Sequence, residues 1–121
     1  MEDESIYDSF GGEKTIAAIV HEFHHLLVTD EKLAHYFQDV NLNHLRIGQM
    51  TLLIIYLFGG PNRYHGKNMR EIHKGLYISS EAYERAVTHF KKAMKKYNTP
   101  IRLMAKVEAL LRGVKPHIVM K

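Results

Sequence analysis

Apolar side chains recur at every third or fourth position in each long segment of this chain, and no segment alternates apolar with polar residues. That period matches one face of an α-helix, whereas a half-buried strand would repeat every second residue. From Glu13 to Val28 the stripe is Ile16, Ile19, Val20, Phe23, Leu26 and Leu27. Thr29, Asp30 and Glu31 offer a cap and first-turn acids for a short helix ending near Phe37. Asn41 or Asn43 can cap the next helix, which runs through the apolar segment Met50 to Phe58 and stops at Gly59-Gly60-Pro61-Asn62. Being apolar nearly all round, that segment should be buried between other elements.

Residues 59–68 read as a loop, and Met69 to Lys74 as one or two helical turns closed by Gly75. Ser79 or Ser80 starts the next helix, with Glu81 and Glu84 in its first turns and Tyr83, Val87, Phe90, Met94 and Tyr97 as its core stripe. Its lysines gather at the C-terminal end, where the helix dipole favours cations. Thr99 is then an N-cap with Pro100 at the first helical position, and the last helix buries Leu103, Val107, Leu110 and Val114, flanked by Met104 and Leu111. The fold class is all-α, with residues 1–121 as one domain and 1–12 as a short lead-in.

Composition removes several chemistries. The 121 residues include no cysteine, which excludes disulfides, thiolate metal sites and cysteine nucleophiles. A net charge of +4 is compatible with nucleic acid, but only Lys91, Lys92, Lys95 and Lys96 cluster, and a solvated helix end accounts for them, so no nucleic-acid partner is expected. The acidic start MEDESIYDSF is no secretory signal. The Met50–Phe58 run is about half the length of a membrane span, so no membrane span and a cytoplasmic location are expected.

Residues 21–25 read His-Glu-Phe-His-His, formally the H-E-x-x-H pattern of zinc hydrolases. Such an enzyme needs a third protein ligand and a group to stabilise an oxyanion. On a helical wheel His21, Glu22 and His25 point largely away from the apolar stripe, while His24 lies on its flank. A zinc hydrolase is therefore the disfavoured reading.

A later stretch, residues 59–75, reads GGPNRYHGKNMREIHKG. It resembles the segment leading to the haem-ligating histidine of group I truncated hemoglobins, with Tyr64, Gly66, Met69, His73 and Gly75 in register. The resemblance extends to Ile6-Tyr7-Asp8-Ser9-Phe10-Gly11-Gly12 and to LVTDEKLAHYFQDVN, residues 27–41. It implies a two-over-two helical sandwich enclosing haem b (iron protoporphyrin IX), with a very short helix at His73.

On that resemblance His73 is the proximal iron ligand, a neutral imidazole being a standard axial ligand. Phe37 packs on the haem face, and Met69, Leu76 and Ile78 are further haem contacts. His44, Arg46, Tyr64 and Lys67 are candidates to hold the propionates. Where the family usually carries a distal tyrosine, this chain has His24, with His25 inheriting the place if the register shifts by one. Leu45 keeps the neighbouring position apolar, and Gln49 is a second candidate donor to a bound gas. His24 is also a candidate sixth iron ligand.

The implied function is binding of O2, NO and CO, with NO dioxygenation by way of a separate reductase as an extension, since the chain has no flavin or nucleotide fingerprint. A monomer is expected. A bis-histidyl sensor or electron-transfer protein and a peroxidase-like activity are the alternatives within the fold. Outside it stands a haem-free helical binding module.

Overall fold

The computed structural model describes residues 4–37, 43–65 and 77–119, with no side chains described for 43–46. Its elements are α1 (Ile6–Ser9), α2 (Glu13–Thr29), a 3-10 turn (Ala34–Phe37), α3 (Asn43–Leu57), α4 (Ser80–Lys96) and α5 (Ile101–Ile118). No strand occurs among the described residues. The turns expected over Met69–Lys74 lie outside them.

Local chemistry sets most of these boundaries. Ser5 caps α1 by accepting the Asp8 N–H, and Ser79 caps α4 by accepting the Ala82 N–H. Asp30 ends α2 rather than starting a new helix. Its backbone N–H reaches back to the Leu27 carbonyl, and its carboxylate takes the Lys32 N–H in a local turn. The expected short helix is therefore only the 3-10 turn. At α5 the cap is Pro100, not Thr99, because Pro100 keeps an extended ψ of 146° and the helix begins at Ile101.

Packing follows the stripes. α2 lies against both α3 and α4, α4 against α5, and α1 against α5, which gives two layers of two helices. Ile16, Ile19, Val20, Ile55, Phe90, Met94 and Val107 are fully buried at the centre. A chain of rings runs through it. Phe10 stacks on Phe58 at 5.9 Å, Phe58 meets Phe90 edge-on at 6.2 Å, and Phe90 meets Phe23 edge-on at 4.8 Å. Phe10 belongs to the expected lead-in, yet it is part of the core.

Tyr97 departs from its expected core place. It is 39% exposed, because α4 ends at Lys96 and Asn98 turns the chain with a φ of 60°. On the outer side of α4 and α5, Glu84 pairs with Lys115 and Arg112, and Glu108 with Lys91 and Arg112. No helix among the described residues is long and apolar enough to cross a membrane.

Candidate functional site

The two layers do not close completely. Between them lies a cavity of about 450 Å³, within the range of cofactor pockets, about 300–1,000 Å³. The apolar run of α3 forms one wall through Met50, Leu53, Ile54, Leu57 and Phe58. Ile55 and Phe58 are buried in the core as expected, while Met50, Leu53, Ile54 and Leu57 are half-buried and face the pocket. α4 supplies Ala82, Tyr83, Ala86, Val87 and Phe90, and α5 supplies Leu110, Leu111, Val114 and Ile118. Phe23, Leu27, Leu33, Tyr36 and Phe37 close the side made by α2 and the turn after it.

Several of these residues were legible only as core. A half-buried leucine facing a cavity and one facing another helix share the same periodicity. The signal available was Ala82 and Ala86, small residues one turn apart beside Tyr83 and Val87, which leave room where larger side chains would fill it.

The distal candidates separate clearly. His24 is 4% exposed and its ring meets Phe37 edge-on at 6.0 Å, whereas His25 is exposed. Gln49 lines the cavity from α3 together with Phe37. Neither His24 nor His25 is part of the described lining, so His24 stands behind Phe37. His21 is exposed too, and Glu22 pairs with Lys96 at 2.9 Å, so the formal H-E-x-x-H residues do not converge. Among the described residues no cluster of three or more His, Asp or Glu could hold a metal ion.

Tyr64 and Ile78 both line the cavity. In the sequence they stand on either side of residues 66–76, which include His73. His73, Lys67, Met69 and Leu76 lie outside the described residues, as do the side chains of His44, Leu45 and Arg46. Arg63, next to Tyr64, is held by Glu13 at the start of α2.

The electrostatics sit at the rim. The Tyr83 hydroxyl donates to the Leu111 carbonyl of α5, and burial pushes its phenol up to about 12. Asp30, 4% exposed at its side chain, accepts from Arg85 and from His89, the latter at 2.7 Å. These two donors hold its carboxyl well below the usual range, Arg85 contributing most. No local pattern marks this cluster, in which Arg85 and His89 lie 55 and 59 residues from Asp30.

A flat, largely apolar group fits this site. The lining is aliphatic and aromatic apart from Gln49 and the tyrosine hydroxyls, and Phe37 is among its rings.

Known proteins share this architecture. The family model for bacterial-like globins matches residues 5–119. A group 1 truncated hemoglobin of Tetrahymena pyriformis is 33% identical over 92 residues, covering 76% of this chain and 75% of its own. One from Mycolicibacterium paratuberculosis is 26% identical over 117 residues, 97% of this chain and 85% of its own. The crystal structure of the Tetrahymena pyriformis truncated hemoglobin in its Fe(III) form matches with a TM-score of 0.90 at 26% identity, over 98% of this chain and 100% of that one.

Proposed function

The chain belongs to the bacterial-like globin family as a group 1 truncated hemoglobin, and from that premise we propose that it binds haem b in the cavity and there takes up O2, NO and CO. The observation that carries the reading is the apolar cavity of about 450 Å³ with Tyr64 and Ile78 on its wall, at either end of the His73 segment. When bound, haem iron supplies the centre at which a diatomic ligand is held. The rest falls to side chains.

We assign His73 as the proximal ligand, with Met69, Leu76 and Ile78 beside it. Phe37 packs on the face of the group, and Tyr64, Lys67, His44 and Arg46 take the propionates. Gln49 donates its amide N–H toward the ligand from α3, with Leu45 keeping the adjacent position dry. His24 approaches from α2 behind Phe37. Its burial beside the exposed His25 favours it for the second distal role. The same burial supports the second reading, in which His24 would be a sixth ligand and the protein would serve electron transfer or sensing.

NO dioxygenation would combine NO and O2 to nitrate, with one electron per turnover returned by a separate reductase. We place the protein in the cytoplasm as a monomer.

The test is an absorption spectrum of the purified protein in ferric, ferrous and CO-treated states. A Soret band that shifts with CO is the expected result. His73→Gly should lose tight haem binding and regain it with free imidazole, which refills the ligand position. A His73→Gly variant with the wild-type spectrum would sink the proximal assignment.

A further inference from the structure

Asp30 occupies the point where the helix carrying His24 gives way to the turn carrying Phe37. Every acceptor it has is used. Its backbone carbonyl takes the Leu33 and Ala34 N–H groups at 2.9 and 2.8 Å. One carboxylate oxygen takes the Lys32 N–H at 3.0 Å, and the other accepts from Arg85 Nε and His89 Nε2. The turn is therefore held from within by backbone bonds and from outside by α4.

What lies beyond each anchor is pocket wall. Leu33, Tyr36 and Phe37 follow the turn and line the cavity, and the Phe37 ring rests edge-on against His24. Arg85 and His89 are one helical turn apart, and between them on the same helix Ala86 and Val87 face the cavity. The two donors and the pocket wall thus share one turn of α4.

We infer that Asp30, gripped by Arg85 and His89, is a positioning residue for the ligand pocket, setting where Phe37 and His24 stand relative to the α4 wall. The inference rests on the ligand-binding reading above. A purely stabilising role accounts less well for the arrangement. Asp30 and His89 are buried although Arg85 is half-exposed, and burying a carboxylate carries a desolvation cost that its hydrogen bonds only offset. Here the cluster also leaves His89 Nδ1 buried with no hydrogen-bond partner among the described residues, a cost that an apolar side chain would avoid. What such a pair supplies is geometry, since it fixes a register between two elements that apolar contacts alone would let slide.

The experiment compares Asp30→Asn, His89→Leu and His89→Gln with Glu84→Gln. Glu84 neighbours Arg85 and pairs with Lys115 and Arg112 of α5, and it is not among the residues lining the cavity. Thermal midpoints give the stability cost of each. The imidazole resonances of His24 and their contact with the Phe37 ring, read by NMR in the protein as purified, report the pocket directly. CO and O2 kinetics report its consequence.

Asp30→Asn and His89→Leu should shift the His24 signals and change ligand rates by about 2- to 30-fold. His89→Gln, which keeps an N–H donor, should return toward wild type, and Glu84→Gln should lower the midpoint without moving either readout. If Asp30→Asn does not fold, the two His89 variants decide. Unshifted His24 signals in His89→Leu, or an equal shift in Glu84→Gln, would overturn the inference. A wild-type protein that takes up no haem would overturn the ligand reading instead, while the ring contact still decides the positioning.

Discussion

The Tyr7 ring lies in the space that a side chain at residue 60 would need. A Cβ built on Gly60 would sit 2.4 Å from Tyr7 Cδ1 and 2.8 Å from Ile55 Cγ2, both inside contact distance. The Tyr7 N–H also donates to the Phe58 carbonyl at 2.8 Å. The start of the chain is thereby locked to the end of α3, from which the loop toward residues 66–76 departs.

Gly60→Ala should accordingly be destabilising by about 1–3 kcal/mol, the usual cost of overpacking. Urea denaturation measures it. Tyr7→Ala in the same chain removes the obstructing ring, so the double variant should be more stable than the sum of the single effects predicts. Strict additivity would mean that the ring is not what the glycine accommodates.

Tyr83 gives a prediction in the alkaline range. Burial raises its folded-state pKa from 10.0 to about 12, so the folded protein retains a proton that the unfolded chain has begun to release. A pKa raised on folding stabilises fully below the unfolded value, and that contribution is lost as pH rises from about 10 through the folded one. In a titration followed by tyrosinate absorbance one phenol should lag behind the others, and Tyr83→Phe should remove the lagging step. The same variant forfeits the bond to the Leu111 carbonyl, worth about 0.5–1.5 kcal/mol at neutral pH. A phenylalanine variant with the lag still present would assign it to another residue.

Distal function is read by release rates. If Gln49 and His24 both donate to bound O2, each leucine variant should release it faster. The loss of one bond to a charge-bearing acceptor, about 1.5–3 kcal/mol, corresponds to roughly 10- to 150-fold. Stopped-flow release resolves this range, and coupling between the two donors would appear as non-additivity in the double variant. A wild-type rate in both single variants means that neither side chain reaches the ligand.

The long helices were legible because each buries one face and therefore carries a period in its sequence. Their ends were less so. Met94 and Tyr97 continue the stripe of α4 numerically, but the pattern contains no information that the chain turns at Asn98, so periodicity assigns Tyr97 to the core where the structure exposes it. Thr29-Asp30-Glu31 reads as the start of a helix because Asp suits both an N-cap and a tight turn, and only the tertiary partners of Asp30 decide between them.

For the site, family resemblance singled out Phe37, Tyr64 and Ile78, and all three line the cavity. Resemblance left His24 and His25 as alternatives, which differ in burial and not in composition. Nothing local marked Arg85 and His89, because a contact between distant positions on two helices leaves no periodic trace in either.

The contact between α1 and α5 joins the first and last helices described, and it bears on how the chain is made. Helices form in about a microsecond, but a contact spanning so much sequence must wait until both partners exist and their closure entropy has been met. α5 supplies one wall of the cavity through Leu110, Leu111, Val114 and Ile118. During translation, at about 5–20 residues per second, this 18-residue helix takes on the order of seconds to be synthesised. For that interval the apolar face of α4 that packs against α5 is left uncovered. The nascent chain is then exposed to association with its neighbours, and the cavity gains its α5 wall only once that helix has emerged.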